Sequence, residues 1–298
     1  MINVFPTISL VTPSYNQAQF LEATIESVLS QNYPNLEYII IDGGSTDGSV
    51  EILKKYENHL AFWCSEPDGG QYDAINKGFA RSSGEIMAWL NSDDMYFPWT
   101  FRTVASIMSE LPQVEWLTTL RPGFWDWYGF CIEFSSMLGY CRQAFLDGCY
   151  FSWGKNVFGC IQQESTFWRR NLWQKVGSQI NTDFKMAGDF DLWSRFFLHT
   201  DLYGTSSPLG GFRKQINQRS RKSDRYIIEA ESSLSEMRTK LNWSPIFSKS
   251  TLRQLKIQRI PKIQDNFISL FGYVGKRIIR ENLDLPSSYW KIEEYKFL

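Results

Sequence analysis

The chain has 298 residues, of which 43% are hydrophobic and 21% charged, a composition typical of a folded globular protein rather than a disordered one. Its formal net charge of -1 argues against nucleic acid as a partner, because such binding requires an excess of Lys and Arg. Five cysteines without a CxxC pair favour reduced thiols, and neither a signal peptide nor a run of about 18 apolar residues is visible. We therefore expect a cytoplasmic protein.

The N-terminal third of the chain alternates between strand and helix patterns. Short apolar runs predict four buried strands, at residues 8–11, 36–41, 61–65 and 86–90. Helical spacing of apolar residues predicts helices that end near Gln31, Tyr56 and Arg81. This order predicts an α/β fold with a mostly parallel central sheet flanked by helices. Ligands bind beyond the carboxyl ends of such strands, and the polar clusters of this sequence fall there.

Two later segments differ from the rest of the chain. Residues 123–168 contain 14 aromatic residues, which predicts a subdomain core or, for some of them, a wall that stacks on an acceptor sugar. Residues 249–280 carry eight basic residues against one acid. This segment predicts either contact with an anionic membrane surface or a solvated helical face.

Two adjacent carboxylates, Asp93 and Asp94, follow the fourth predicted strand. Like charges raise each other's pKa, so a hard divalent cation such as Mg²⁺ or Mn²⁺ would stabilise the pair and also bind substrate phosphates. The alternative is a solvated turn in which one of the two acids caps a helix.

Three further acids are candidates for a site. Asp42 ends the second strand, where it could accept hydrogen bonds from a nucleotide base or ribose. GxGxxG and GxxxxGK[ST] motifs are absent, which disfavours nicotinamide, flavin and P-loop enzymes. Asp189 and Asp191 could cap a helix, or one could act as a general base. A Ser-His-Asp hydrolase is disfavoured, and a glycosidase that uses paired acids stays open.

These clusters together resemble the family 2 glycosyltransferases, which have the GT-A fold, over roughly residues 7–220. The similarity rests on the segments TPSYN (12–16), DGGSTDGS (42–49), SDD (92–94) and QESTFW (163–168). The segments EPDGG (66–70) and DAINKG (73–78) resemble a branch associated with bacterial surface polysaccharides.

The resemblance implies a GT-A nucleotide-diphospho-sugar transferase domain over residues 1–220, followed by a basic helical C-terminal extension over 221–298. Within the domain, residues 1–95 would bind the nucleotide and residues 96–220 the acceptor. The implied enzyme is an inverting, hexosyltransferase-type glycosyltransferase that uses Mn²⁺ or Mg²⁺. Its donor would be a UDP, GDP or dTDP sugar, with UDP first, and its acceptor a glycan or glycolipid. A peripheral contact at the inner face of the cell membrane through residues 249–280 would fit such an acceptor.

The resemblance also implies roles for single residues. Nucleotide binding falls to Thr12, Pro13, Tyr15, Asp42, Asn76, Lys77 and Asp93. Asp94, with Asp93, would hold the metal, and Arg213 would bind the diphosphate. Glu164 and Trp168 would bind the acceptor. Asp189 would be the catalytic base, with Asp191 as its rival.

Three positions depart from the family pattern. Gly43 stands where a second acid often follows Asp42, Gly188 replaces the Glu of a Glu-Asp pair, and Gln215 replaces the His of Arg-x-His. The loss of that His favours one alternative, a non-catalytic module that binds sugar nucleotides. The retained acids Asp93, Asp94 and Asp189 favour an enzyme.

Overall fold

The computed structural model describes residues 5–151, 158–216, 218, 223–244 and 268–298. Its strands are β1 (Ile8–Ser14), β2 (Leu36–Asp42), β3 (Phe62–Ser65), β4 (Ile86–Trp89), β5 (Met95–Tyr96), β6 (Trp116–Thr119), β7 (Gly123–Trp125), β8 (Cys131–Phe134), β9 (Phe167–Arg169), β10 (Tyr203–Thr205), β11 (Gly210–Arg213), β12 (Tyr273–Glu281) and β13 (Tyr289–Phe297). Its helices are α1 (Ala18–Leu29), α2 (Ser49–Tyr56), α3 (Gln71–Arg81), α4 (Thr100–Glu110), α5 (Arg142–Leu146), α6 (Arg170–Lys175), α7 (Gly188–Phe196) and α8 (Ser223–Lys240).

Among the described residues, nine strands form one sheet in the order β13-β12-β10-β6-β9-β4-β1-β2-β3. Five of its eight neighbouring pairs are parallel, and the three antiparallel pairs involve β9 and β13. A second sheet has the order β5-β11-β7-β8. The mostly parallel sheet expected from the alternation of strands and helices is confirmed.

Both faces of the large sheet are covered. Alternate residues of β1 contribute to different cores, with Leu10 in one and Val11 in the other. The Leu10 core includes apolar residues of α1 and α4, whereas the Val11 core includes those of α3, α6 and α7. Since side chains of a strand alternate between the faces of its sheet, continuous apolar strands such as β1 are the ones buried on both.

The order of the strands brings the polar clusters together. β1 pairs with β2 on one side and with β4 on the other, so the chain changes direction across the sheet at β1. The carboxyl ends of these three strands lead into Tyr15, Gly43 and Asn91. A crevice at such a switch point is where open α/β sheets bind ligands.

The C-terminal part corrects one expectation. A helical extension was expected over 221–298, and α8 is helical, but β12 and β13 form an antiparallel hairpin that extends the large sheet beside β10. The hairpin buries Tyr273, Ile278 and Phe297. Residues 249–267, most of the segment expected at a membrane, lie outside the described residues. None of the helices in the described ranges is long and apolar enough to cross a bilayer.

Candidate active site

The loop after β1 exposes one aromatic ring. Tyr15 is 62% exposed, whereas Thr12 and Pro13 are buried in β1. The Thr12 hydroxyl lies 3.1 Å from the Tyr38 hydroxyl, inside the protein. Nucleotide binding by Thr12 and Pro13 stays a prediction, and Tyr15 is the exposed side chain of this segment.

Asp42 is fully buried and organises the turn that follows β2. Its carboxylate accepts hydrogen bonds from the backbone N–H groups of Gly44 (3.2 Å) and Ser45 (2.8 Å). The hydroxyls of Ser45 and Ser65 each donate to it at 2.6 Å. Three of these four bonds reach Oδ2 and one reaches Oδ1, and together they hold the turn in place. Direct contact between Asp42 and a base stays a prediction, and Asp42 also shapes the surface on which a base can lie.

Gly43 is closely flanked by two side chains of this region. A Cβ atom there would come within 3.1 Å of Oδ2 of Asp68 and 3.3 Å of the Tyr15 ring. The glycine at the position of the family's second acid therefore allows an exposed ring and a carboxylate to approach this turn closely. Oδ1 of Asp68 accepts the Gly70 N–H at 2.7 Å, which fixes the orientation of that carboxylate. Sequence reasoning quoted Asp68 as part of a motif but did not assign it to a site.

Helix α3 carries two residues that were expected to bind the nucleotide. The Asn76 amide exchanges two hydrogen bonds of 2.8 Å with the backbone of Ile180, so it joins α3 to the loop before α7. This contact corrects the prediction for Asn76, whose amide is used within the protein. Lys77 lies 3.3 Å from Asp73 and 3.6 Å from Glu66, in ion pairs that remain partly exposed.

The acid pair follows β4 in a turn held from several sides. The Thr24 hydroxyl of α1 donates to the carbonyls of Ser92 (2.9 Å) and Asp94 (2.8 Å). Oδ1 of Asp94 accepts the backbone N–H of Arg213 at 2.8 Å, and Oδ2 accepts the Asn91 amide at 3.1 Å. These bonds fix Asp94 between the carboxyl end of β4 in the large sheet and β11 in the small sheet.

The Arg213 side chain is mostly used within the protein. Its Nε donates to the Asp93 carbonyl at 2.6 Å, and Nη1 donates to the Trp127 carbonyl at 2.9 Å. The guanidinium also stacks over the Phe20 ring at 4.9 Å. Nη2 is buried without a hydrogen-bond partner in the described part of the chain. The two N–H groups of Nη2 are therefore the donors of Arg213 without a partner among the described residues.

Gln215 stands in direct contact with the acid pair. Its side-chain amide donates to Oδ2 of Asp93. An amide nitrogen cannot ligate a metal as an imidazole does, so in this arrangement Gln215 binds the carboxylate itself. The departure from the family's His thus replaces a ligand with a hydrogen-bond donor.

The two residues expected to bind the acceptor are both buried. Trp168 is 0% exposed and packs edge-on against Trp89 with ring centres 5.5 Å apart. Its assignment to the acceptor is wrong, because β9 places it in the core between β4 and β6. Glu164 is 5% exposed and lies in a short 3₁₀ turn (Gln163–Ser165). Its negative charge contributes to the raised pKa of Asp94.

Beside the acid pair, a network of side-chain amides joins residues 1–95 to residues 96–220. The Gln71 amide donates to Oδ1 of Asn91 at 2.7 Å, and Asn91 donates to Oε1 of Gln163 at 3.3 Å. Gln163 donates in turn to the Trp89 carbonyl at 2.6 Å. Sequence reasoning missed these amides, because single Asn and Gln residues carry no spacing pattern.

Helix α7 begins at Gly188 and holds both candidate bases in its first turn. Asp191 is buried and forms an ion pair with Arg195 at 2.9 Å, and it accepts the Ser233 hydroxyl of α8 at 2.8 Å. Oδ1 of Asp189 is buried and has no hydrogen-bond partner among the described residues. The prediction of Asp191 as a base is corrected by its pairing, and Asp189 keeps a free acceptor.

The departure at Gly188 has a steric reason. A Cβ atom at this position would come within 2.7 Å of the Tyr72 ring, so a larger residue does not fit. The ring of Tyr72 occupies the space that a glutamate would need.

Burial governs the electrostatics of the site. Burial, together with the charges of Asp93 and Glu164, raises the pKa of Asp94 well above its usual range. Burial likewise raises the pKa of Asp93, of Glu164 to about 7, and of Asp189 to about 6. Carboxylates whose pKa is raised by burial are a common property of functional sites.

The acid pair is also a candidate metal site. No group of three or more His, Cys, Asp and Glu side chains in the described ranges is arranged to hold a metal ion. Mg²⁺, however, is usually bound through one or two carboxylates plus substrate phosphates, and a cation would relieve the mutual repulsion of Asp93 and Asp94. The oxygen donors of this pair fit Mg²⁺ or Mn²⁺ in that mode.

Comparison with known proteins relates the N-terminal part of the chain to one family. Residues 9–123 match the family model described as glycosyl transferase family 2. This segment, 115 of the 298 residues, is similar to that family. It includes β1 to β4 and the acid pair, so the resemblance read from the sequence motifs is confirmed.

Two curated relatives support the assignment. An uncharacterized glycosyltransferase of Mycobacterium tuberculosis is 46% identical over 92 residues, 30% of this chain and 35% of its own length. A protein of Bacillus subtilis, provisionally described as the teichuronic acid biosynthesis glycosyltransferase TuaG, is 41% identical over 101 residues, 32% of this chain and 39% of its own. The chain thus spans about a third of the length of these relatives.

Solved structures extend the likeness to the fold. Residues 1–349 of TarS from S. aureus, in complex with UDP-GlcNAc, match with a TM-score of 0.60 at 15% identity, covering 89% of this chain and 75% of that one. The mannosyltransferase PcManGT from Pyrobaculum calidifontis, in complex with GDP-Man and Mn²⁺, matches with a TM-score of 0.50 at 18% identity, covering 72% and 59%. The chain has the GT-A fold.

Proposed function

We propose that the protein is an inverting glycosyltransferase of the hexosyltransferase type. It moves a sugar from a nucleoside-diphosphate sugar, with UDP as the first candidate, to a hydroxyl of a polysaccharide or lipid-linked oligosaccharide. The observation that carries the proposal is the free, buried oxygen of Asp189, in a chain similar to family 2 glycosyltransferases whose acid pair stands at the switch point of the sheet.

The nucleotide base lies over Gly43, stacked on Tyr15 and within reach of Asp68. Stacking on an exposed ring is worth about 1–3 kcal/mol per base, which suits a side chain that makes few contacts of its own. Asp68 offers Oδ2 to a base N–H, the part first expected of Asp42. UDP is the first candidate because TarS, similar in fold, was solved with UDP-GlcNAc.

The diphosphate lies beside Asp93 and Asp94. A divalent cation held by these carboxylates would neutralise the charge that develops on the leaving diphosphate. Nη2 of Arg213 supplies an N–H donor to the same group. The Mn²⁺ reported with PcManGT makes Mn²⁺ or Mg²⁺ the cation to test.

The transfer is a single displacement. The acceptor oxygen attacks the anomeric carbon from the face opposite the diphosphate, a C–O bond to the acceptor forms, and the C–O bond to the diphosphate breaks. Asp189 takes the proton of the acceptor hydroxyl as the new bond forms. Its pKa of about 6 makes it mostly ionised at neutral pH and still basic enough for the task.

The acceptor runs along the hairpin of β7 and β8. Trp127, Tyr128 and Phe130 are exposed there, and the loop that carries them is held by the carboxylate of Asp126. Trp127 packs edge-on against Phe20, the ring beneath Arg213. Exposed aromatic faces of this kind stack on sugars. The description of TuaG makes a bacterial surface polysaccharide the first acceptor class to examine, with residues 249–280 as a contact to the membrane that would carry such an acceptor.

A non-catalytic module that binds sugar nucleotides is the second candidate. It is favoured by Gln215, which donates to Asp93 where the family pattern has a His. A melting-temperature screen against UDP, GDP, dTDP and CMP, each with and without Mn²⁺, tests donor binding. A ligand at 100 times its Kd adds about 2.7 kcal/mol of stability. The proposal expects one nucleotide to stabilise the protein in the presence of Mn²⁺, and its sugar conjugate to be turned over; binding without turnover selects the module, and no binding rejects both.

A further inference from the structure

The backbone that leads into Asp189 is held by a carboxylate from another helix. Glu229 of α8 accepts hydrogen bonds from the N–H groups of residues 185–187, at 3.0, 2.8 and 3.0 Å. Asp189 lies two residues beyond the last of them. Buried backbone N–H groups need partners, and three consecutive ones here share a single side chain.

The next N–H group of this segment is bound by a second side chain, which belongs to α3 in the proposed nucleotide-binding half. The Tyr72 hydroxyl of α3 accepts the Gly188 N–H at 2.9 Å and donates to the Met186 carbonyl at 2.9 Å. All four N–H groups of residues 185–188 are therefore bound by two side chains that are distant in sequence. Tyr72 follows Gln71, which donates to Asn91 beside the acid pair, so the same end of α3 contacts both parts of the site.

Glu229 is suited to hold this segment as an anion. It is 8% exposed, and Arg225 donates to Oε1 at 2.7 Å. Burial opposes its ionisation, but the bonds from Arg225 and from the three N–H groups outweigh burial and lower the pKa of Glu229. Its negative charge lies at the N-terminus of α7, the end at which the helix dipole favours an anion.

We propose that Glu229 and Tyr72 are positioning residues that hold Asp189 in the geometry required for proton abstraction. The inference rests on the proposed function, because it assigns Asp189 the role of the base. Neither residue touches the reacting atoms. The two residues act through the backbone of 185–188, and Tyr72 makes the position of the base depend on the helix that borders the donor site.

The test compares Glu229→Gln with Glu231→Gln in the full chain. Oε1 of Glu229 accepts hydrogen bonds from Arg225 and from the N–H of Lys185, whereas Oε2 accepts those of residues 185–187. An amide has only one acceptor oxygen, so the substitution at 229 removes the negative charge and places an NH₂ group where one carboxylate oxygen accepted hydrogen bonds. Glu231 is exposed on the same helix and serves as the matched control. Two readouts are needed: amide hydrogen exchange of residues 185–188, and release of UDP from UDP-GlcNAc in Mn²⁺.

We expect faster exchange at residues 185–188 in Glu229→Gln and no change in Glu231→Gln. We also expect kcat to fall at least about tenfold with KM for the donor unchanged, since small displacements of a catalytic group are costly. If Glu229→Gln does not fold, Tyr72→Phe tests the same claim with the same readouts. Wild-type exchange, or a loss confined to KM, overturns the inference.

The proposed function can fail separately. If Asp189→Asn turns over like wild type, Asp189 is not the base, and the catalytic part of the inference fails with it whatever the exchange shows. If Asp189→Asn is inactive and Glu229→Gln is fully active, the proposed function stands and the positioning role is rejected.

Discussion

Asp189 and Asp191 lie two residues apart in the first turn of α7, and their carboxylates have different surroundings. Asp191 is paired with Arg195 at 2.9 Å and bonded to Ser233, whereas a buried oxygen of Asp189 has no partner in the described residues. The first arrangement is a structural ion pair within α7 with a hydrogen bond to α8, and the second leaves an acceptor for a substrate proton. The pair therefore supplies its own matched experiment.

Asp189→Asn should retain nucleotide binding and lose transfer. A positioned general base contributes about 100-fold to 10,000-fold in rate, so we expect a loss in that range. Asp191→Asn should instead lower the free energy of unfolding by about 1–3 kcal/mol, because a buried partner of Arg195 is weakened, while its folded fraction stays active. Thermal unfolding measures the loss of stability, and release of nucleoside diphosphate measures the loss of transfer. Loss of transfer in Asp191→Asn with normal transfer in Asp189→Asn would contradict the account.

The rate should depend on pH through Asp189. Burial raises the pKa of Asp189 to about 6, above its usual value near 4, so the base is protonated and inactive below pH 6. We expect kcat/KM to rise with pH and to level off above about pH 6, at saturating Mn²⁺. The same shift means that the ionised form is disfavoured in the folded protein, so this group's contribution to stability falls as pH rises from about 4 through 6. An inflection near pH 4 would show that Asp189 is not the titrating base.

Asp94 should couple nucleotide binding to a metal. Asp94→Asn removes the charge but keeps an oxygen that can accept the Arg213 N–H, so the variant should fold. We expect the stabilisation by nucleotide in the presence of Mn²⁺, about 2.7 kcal/mol at 100 times Kd, to be lost in this variant. Asp183→Asn, at an exposed position in the loop before α7, is the control. A shift in Asp94→Asn that still requires Mn²⁺ would exclude Asp94 as a ligand, and EDTA should abolish the wild-type shift.

The contacts that surround Gly43 should determine nucleotide affinity. Tyr15→Ala removes the exposed ring and should weaken UDP binding by about 1–3 kcal/mol. Gly43→Ala places a methyl group 3.1 Å from Oδ2 of Asp68, so it should weaken binding as well. Titration calorimetry with UDP and Mn²⁺ measures both, with Tyr128→Ala as the control at the hairpin. If Tyr15→Ala and Gly43→Ala bind UDP with wild-type affinity, the base does not lie at this position.

The sequence was informative wherever burial follows a short local pattern. The apolar runs predicted β1, β2 and β4 because these strands are mostly buried and have few polar positions, and they also predicted β3, whose residues are partly buried at the end of the sheet. The sequence also predicted the acid pair, because two adjacent acids that follow a buried strand form a recognisable local pattern. Strand β9 was not predicted, because three residues that pair antiparallel with β4 and β6 carry no periodicity.

The errors in the site have one physical source. Whether a polar side chain is free depends on partners that are distant in sequence, such as Ile180 on Asn76 and Ser233 on Asp191. Trp168 carried the same ambiguity, because an aromatic residue suits a core as well as a sugar. The hairpin β12–β13 was expected to be helical, since most of its side chains are only partly buried and charged residues interrupt its alternation.

The most direct test of the account is the release of nucleoside diphosphate from UDP-GlcNAc and GDP-mannose by wild type and Asp189→Asn, in Mn²⁺. We predict that wild type releases the nucleotide from one of these donors, and that the variant binds the same nucleotide with unchanged affinity but releases at least about 100-fold less. Equal release by the two proteins, or binding without release by wild type, would contradict the claim that this chain is a glycosyltransferase with Asp189 as its base.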